Sequence, residues 1–397
     1  MTEDPRAGDA GHALIERLLA AADGTPDETA DRLAGEDPDA VAVTTLAEVM
    51  TRVALDEVAG APVAVQVDLG GPGGRLGYVV TVGDPAAKVA PGWIADPWVR
   101  LRQDLTEFVR AVFGPAVPPA GATRELFLKD EPGPRSWRPD DPWRVAQEAA
   151  RRAAHRLVRA CTAATPDLAG LAVRFGSDKW GGHWYTPHYE RHFAPLRDHR
   201  VRLLELGIGG YHLPDQGGAS LHMWQHYFPR GLVHGLDIYD KSRLPVGPRV
   251  RTVRGDQGDA AFLDTLGHRI GPLDIVIDDG SHLSRDVIVS FRALFPHLRD
   301  GGLYVIEDLG TAYWPGWGGS SERLDDPATS AGFLKTLVDG LNHQELVPGG
   351  GRAAADTDTT VTGLHLYHNL AVVEKGRNTE QPAPSWVSRT EDPGALL

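Results

Sequence analysis

Residues 203–211 read Leu-Leu-Glu-Leu-Gly-Ile-Gly-Gly-Tyr, an apolar run that ends beside an acid and opens into a glycine-rich turn. The run from Val201 to Leu206 is too short for a helix and suits a strand. Gly207, Gly209 and Gly210 let backbone approach a ligand without interference from a Cβ. In an open α/β sheet, ligands sit at this place, outside the carboxyl end of a strand. Glu205 is acidic where a pyrophosphate-binding turn is usually neutral, which favours a cationic cofactor, such as a sulfonium with an α-amino group, over a dinucleotide. An ordinary tight turn explains the same residues equally well, so the meaning of the stretch depends on its surroundings.

Outward from it, short apolar runs recur at Leu232–Leu236, Val250–Val253, Leu273–Ile277 and Leu303–Ile306, the second of these being the most polar. Such runs suit parallel strands covered on both faces. Helical stretches at Ala261–Arg269 and Val287–Leu298 separate several of them, which predicts a doubly wound, Rossmann-like α/β sheet. The last pair, Gly363–Tyr367 and Ala371–Glu374, is joined by three residues, enough for an antiparallel hairpin but not for a crossover.

Acids follow the strands in order. Asp237 ends the second, where a carboxylate accepts ribose hydroxyls, and Asp256 and Gln257 lie just past the third, where an adenine amino group would be read. A solvated acid at a strand end is the plain alternative for each. The fourth strand ends DIVIDDGSH and the fifth LYVIEDLGTAYW, bringing Asp278, Asp279, Glu307 and Asp308 to one rim if the two strands are neighbours. Four converging carboxylates repel unless a cation joins them. Oxygen donors without cysteine favour Mg²⁺, Mn²⁺ or Ca²⁺ over zinc. His282 follows Asp279 closely, and an imidazole titrating near about 6.5 is suited to taking a hydroxyl proton at neutral pH.

The first half reads differently. Ala10–Ala59 carries helical spacing, Val63–Leu69 and Leu76–Val82 alternate around GGPGG as a hairpin does, and Val99–Phe113 again has helical spacing. Gly114–Pro142 has loop composition, and a helix from Trp143 to about Thr162 leads onward. At 397 residues two units are expected: an auxiliary α+β unit over 1–142 and a larger α/β unit over 143–397. A formal charge of −14 without a basic stripe argues against nucleic acid as a partner. No apolar run approaches the roughly 20 residues that span a bilayer, and no secretory h-region is visible, so no membrane role and a cytoplasmic location are expected. Cys161, the single cysteine, reads as a core residue.

Taken together, ELGIGGY, GLDIYDKS, GDQGDAAFLD, PLDIVIDDGSH, GGLYVIEDLGTAYWPG and GLHLYHNLAVVEKGRN resemble the metal-dependent macrolide sugar O-methyltransferases, the mycinamicin VI 2″-O-methyltransferase and demethylmacrocin O-methyltransferase family. The resemblance is dense from Leu168 to Arg389, including FGSDKWGGHWYTPHYERHF, and thin over the first part of the chain. It implies a class I methyltransferase fold preceded by a smaller auxiliary domain, with S-adenosylmethionine and Mg²⁺ as cofactors, a glycosylated small-molecule acceptor and a tetrameric assembly. Carried over by motif, it implies Asp279, Glu307 and Asp308 as metal ligands and His282 as catalytic base. Glu205, Gly207, Gly209, Asp237, Asp256, Gln257 and Asp278 would lie around the cofactor, with Ser220 and Thr186 as further contacts.

Two other readings stay open at this level. A nicotinamide-dependent oxidoreductase shares the strand–glycine–helix start with a downstream acid, against the acidic Glu205 and the terminal hairpin. The same methyl transfer to a catechol or other vicinal diol would use the same residues. The aromatic residues Trp184, Tyr185, Tyr313, Trp314 and Trp317 form either a lid over an apolar acceptor or a seal on the core.

Overall fold

The computed structural model describes residues 5–53, 62–71, 73–82, 88–115, 123–129, 142–161, 167–180, 182–347, 353–384, 386–387 and 389. The expected helical segments up to Ala59 and Thr162 run at their ends into 54–61 and 162–166, outside the described residues. Helices α1 (Pro5–Ala21), α2 (Pro26–Leu33) and α3 (Pro38–Val53) come first, each opening on a proline, whose missing N–H is no loss in a first helical turn. Thr25 caps α2 through a reciprocal pair with Glu28.

A five-stranded sheet follows, built from β1 (Val63–Gly71), β2 (Gly74–Val82), β3 (Lys88–Pro91), β4 (Val99–Asp104) and β5 (Glu125–Leu128), in the order β3-β2-β1-β4-β5. The hairpin of β1 and β2 is the one read from the alternating sequence. The helix expected over Val99–Phe113 is divided: Val99–Asp104 pairs parallel to β1, and only Leu105–Phe113 (α4) is helical. Along VRLRQD, Val99, Leu101 and Gln103 are buried in alternation, a strand period that merges with the helical period after it. Asp104 separates the two, its Oδ1 accepting the N–H groups of Thr106 (2.8 Å) and Glu107 (3.1 Å). β5 lies within the segment expected to be loop, a four-residue edge strand antiparallel to β4 with exposed side chains.

Helix α5 (Pro142–Ala160), attributed from composition to the larger unit, buries Ala150, Ala153, Ala154 and Leu157 in the core of this first sheet. Cys161 is fully buried at its end, and burial pushes the thiol up to about 11, the behaviour of an inert core residue.

The second unit begins with α6 (Leu168–Phe175) and α7 (Thr186–Phe193). It continues β6 (Arg202–Leu206), α8 (Ala219–Tyr227), β7 (Leu232–Asp237), β8 (Val250–Arg254), α9 (Ala260–Ile270), β9 (Leu273–Asp278), α10 (Ser284–Leu294), β10 (Leu298–Glu307), α11 (Ser330–Leu341), β11 (Val361–Tyr367) and β12 (Leu370–Lys375). The strands form one seven-stranded sheet in the order β11-β12-β10-β9-β6-β7-β8. Five are parallel; β12 runs antiparallel to β10 and pairs with β11 as the expected hairpin. The order reverses between β6 and β9, so the switch-point crevice opens beside the glycine turn and the DDGSH turn. Separate apolar clusters cover the two faces of the sheet. Among the described residues no helix is long and apolar enough to cross a membrane.

A buried ion pair joins the units. Arg249, ahead of β8, forks onto Glu48 of α3 at 2.9 and 2.8 Å, and both side chains are wholly excluded from solvent. Arg52 adds a contact at 2.9 Å, and Arg249 also donates to the carbonyls of Phe228 and Gly231. Burial alone would raise the Glu48 carboxyl, but Arg249 and Arg52 outweigh it and hold it below the ordinary range. Its stabilising share is therefore complete above the ordinary carboxylate range and is lost as pH falls through the depressed value. Glu48→Ala, which strands the Arg249 guanidinium, is expected to cost about 3–5 kcal/mol in urea unfolding at pH 7; a loss under 1 kcal/mol would show that the pair does not hold the units together.

Candidate active site

Strand register puts the acids at one level. Leu206 of β6 and Ile306 of β10 both lie opposite Asp278 of β9, so the residues that follow them leave the sheet side by side. Gly207 (φ 88°) closes the approach: a Cβ there would stand 2.0 Å from the carbonyl oxygen of Asp279. The glycine turn and the DDGSH turn are thus packed backbone to backbone, which only glycine at 207 permits.

Lys179 enters this cluster from the loop between α6 and α7. Its side chain is fully buried, with Nζ donating to Glu307 Oε1 (2.6 Å) and Asp279 Oδ2 (2.7 Å) and 3.5 Å from Glu205 Oε1. Burial opposes its charge, but Asp279, Glu307 and Glu205 outweigh that and hold the ammonium protonated. Tyr189 of α7 donates to the same Glu307 oxygen. In the sequence Lys179 is marked only as the one lysine of FGSDKWGGHWY, a segment rich in glycine and aromatic residues, and nothing local points to its partners.

Glu205 is wholly buried, and burial raises its carboxyl to about 7 although Lys179 draws it down. Ser220 donates to its Oε2 at 2.8 Å, while Oε1 has no hydrogen-bond partner. Thr186 Oγ1, at the start of α7, is likewise buried without one. Two orphaned buried acceptors beside the glycine turn fit a ligand carrying N–H or O–H donors, as an α-amino cofactor does.

Asp279, His282 and Asp308 form the open part of the cluster, with potential ligand atoms within 4.8 Å of one another. Each of these side chains is roughly one quarter exposed, whereas Glu307 is almost wholly enclosed. His282 Nε2 lies 3.5 Å from Asp308 Oδ2, and Thr311 Oγ1 holds the His282 carbonyl at 3.0 Å. The other Asp308 oxygen, Oδ1, accepts from Tyr185 (2.8 Å) and from the side-chain amide of Asn369 (3.0 Å) in the β11–β12 turn. His282 (φ 57°), Asp308 (φ 54°) and Asn369 (φ 65°) all have left-handed backbones, conformations that non-glycine residues hold only when their surroundings over-determine them.

The remaining candidates are placed less openly. Asp237 accepts backbone N–H groups of Ile208 (3.0 Å) and Tyr239 (2.8 Å), one on each oxygen, tying the acid to the glycine turn. Gln257 spends its amide internally: Nε2 donates to Asp278 Oδ1 (2.7 Å), and Oε1 accepts from Ser281 N (2.8 Å). Asp278 is buried, also bound by Ser290 and Tyr304, with burial raising its carboxyl to about 6. Gln257 and Asp278 thus brace the DDGSH turn from beneath, while Asp256 stays exposed beside it. Trp184, Tyr313, Trp314 and Trp317 are exposed, whereas Tyr185 is buried and serves Asp308.

Lys179→Met would leave buried carboxylates uncompensated. In chelator-treated protein it is expected to lose on the order of 3–5 kcal/mol at pH 8, and less at pH 5.5, where protonation relieves the repulsion. Equal losses at both pH values in urea unfolding would mean that the lysine acts by packing alone.

Comparison with known proteins agrees with this architecture. Residues 15–124 match the family described as MycE methyltransferase N-terminal. Demethylmacrocin O-methyltransferase of Streptomyces fradiae is 44% identical over 96% of this chain and 95% of its own. The 8-demethyl-8-alpha-L-rhamnosyl tetracenomycin-C 2′-O-methyltransferase of Streptomyces olivaceus is 50% identical over 76% of this chain and 78% of its own. The crystal structure of MycE methyltransferase from the mycinamycin biosynthetic pathway, in complex with Mg, SAH and mycinamycin VI, superposes with a TM-score of 0.83 at 39% identity, covering 95% of this chain and 96% of that one. The oxidoreductase reading is thereby set aside. With its auxiliary domain matched and its architecture shared along nearly the full length, the chain belongs to the sugar O-methyltransferase family of these enzymes.

Proposed function

We propose that this enzyme transfers the methyl group of S-adenosylmethionine to a sugar hydroxyl of a glycosylated, macrolide-type natural product, with Mg²⁺ at the acid cluster. The observation that carries the reading is the convergence of Asp279, His282 and Asp308 at the neighbouring ends of β9 and β10. Relatives that methylate rhamnosyl tetracenomycin and demethylmacrocin, and the MycE complex with Mg, SAH and mycinamycin VI, support the cofactors and the acceptor class.

In this reading Asp279 and Asp308 hold the divalent ion, with Glu307 completing the set from behind, where Lys179 and Tyr189 fix its carboxylate. The oxygen donors suit a hard ion, and the acids exceed what a single lysine neutralises. Bound there, the ion would supply Lewis acidity that orients vicinal acceptor oxygens and lowers a hydroxyl pKa. Glu205, Thr186, Ser220 and the turn at Gly207 and Gly209 receive the amino-acid end of the methyl donor, and Asp237 and Asp256 its adenosine end. Gln257 and Asp278 keep the floor of that pocket rigid. His282 takes the proton of the attacking hydroxyl, and Asp308 faces the imidazole as it becomes charged. Holding both substrates in line supplies much of the acceleration. The exposed Trp184, Tyr313, Trp314 and Trp317 border the entrance for an apolar aglycone.

We place the division between the two units after Cys161, since α5 packs in the first core, and we expect a cytoplasmic homotetramer.

Mass spectrometry of the product formed from S-adenosylmethionine and a panel of glycosylated and phenolic acceptors tests the assignment. Methylation of a sugar hydroxyl, abolished by EDTA and restored by Mg²⁺, is expected; methylation of catechols alone would replace the sugar by another diol. His282→Ala is expected to lower kcat by about 10²–10⁴ with S-adenosylhomocysteine binding retained, and a variant keeping most of kcat would remove His282 as base. Asn369→Gly keeps the positive φ but frees Asp308; weaker Mg²⁺ binding by calorimetry, with thermal stability near wild type, is the expected outcome.

A further inference from the structure

Away from the acid cluster, three side chains from three elements meet where α7 packs against the terminal hairpin: His192 in the last turn of α7, His365 in β11 and Glu374 in β12. Their potential ligand atoms lie within 4.8 Å of one another, and all three residues are half-buried. His365 Nε2 is 2.8 Å from Glu374 Oε1, and the two imidazole rings are 4.6 Å apart between centroids. His192 Nε2 is positioned by the Tyr367 hydroxyl at 2.9 Å, and His188, one turn earlier on α7, stacks on the Tyr367 ring at 3.9 Å.

The hairpin is shaped to admit the carboxylate. Gly363 faces Glu374 across the strand pair, and a Cβ at 363 would stand 2.9 Å from Glu374 Oε2. Any larger residue there would push the carboxylate off the histidines.

We propose that His192, His365 and Glu374 bind a zinc-class divalent cation, at a site separate from Asp279, His282 and Asp308, that clips α7 to the β11–β12 hairpin. Two imidazole nitrogens and one carboxylate oxygen form a zinc donor set with a fourth position for water, and nitrogen donors disfavour Mg²⁺. An ion bound there, about 2 Å from each ligand atom, would take the place of the direct contact between His365 and Glu374. The clip has a consequence for the active site, because α7 carries Thr186 and Tyr189 while the hairpin turn carries Asn369. Both walls that steady Glu307 and Asp308 would be tied together behind the chemistry.

The test is calorimetric titration of ZnCl₂ into tag-free, full-length protein, stripped with EDTA, dialysed and held in excess Mg²⁺ so that the carboxylate site stays filled. One zinc per chain is expected, with a rise in Tm. His365→Ala and Glu374→Gln should each lose both effects, and His268→Ala should keep them. That last variant alters the Asp264, His268 and His297 group, the other cluster with two histidines among the described residues. Tm in EDTA checks folding; if His365→Ala does not fold, Glu374→Gln alone decides. The proposal is overturned if wild type binds no zinc under excess Mg²⁺, if the folded variants bind as wild type does, or if His268→Ala is the variant that loses binding.

Discussion

A single ammonium group organises the centre of this enzyme. Lys179 reaches into the sheet's carboxyl edge and touches acids from three neighbouring strands, Glu205 of β6, Asp279 after β9 and Glu307 of β10. Without a cation these acids would repel one another in a medium that screens poorly. With it they are held at short range. Burial, with the neighbouring Asp279 adding to it, still raises the Glu205 and Glu307 carboxyls, and a divalent cation beside Asp279 and Asp308 would favour their ionised forms. In the proposed reaction the lysine would also link the two halves of the chemistry, with Glu205 on the donor side and Glu307 on the acceptor side.

Around this centre the supporting residues divide by direction. Gln257, Ser290 and Tyr304 close on Asp278 from below and fix the DDGSH turn. Tyr185 and Asn369 close on Asp308 from the side of α7 and the terminal hairpin. The left-handed backbones of His282 and Asp308 persist because the contacts around them leave few alternatives, including Thr311 on the His282 carbonyl. Two of the four left-handed non-glycine residues among the described ones thus face each other across the proposed reaction centre.

The auxiliary domain is anchored rather than tethered. Glu48 and Arg249 are buried as a forked pair between α3 and the residue preceding β8, and Arg230 reaches across to the Phe113 carbonyl and Asp23. Ion pairs of this kind contribute little net stability over apolar contacts, but they define one relative orientation because any other leaves a charge unpaired.

The short apolar runs, their order and the three-residue connection before Ala371 were enough to derive the doubly wound sheet and its terminal hairpin, because strand period and connection length are local properties. The meeting of Asp279, His282 and Asp308 at one rim was legible for the same reason: they stand at or just past the ends of recognisable strands. The sequence misled where two periods abut, as at Val99–Asp104 and Leu105–Phe113, and where one short edge strand lies in proline-rich surroundings. It also did not show that α5 packs on the first sheet, since which core a helix covers depends on contacts far along the chain. Lys179, Asn369 and the internal pairing of Gln257 with Asp278 were decided by tertiary structure alone. Each takes its meaning from partners 21 to 184 residues away, and burial and charge compensation exist only once those partners are folded together.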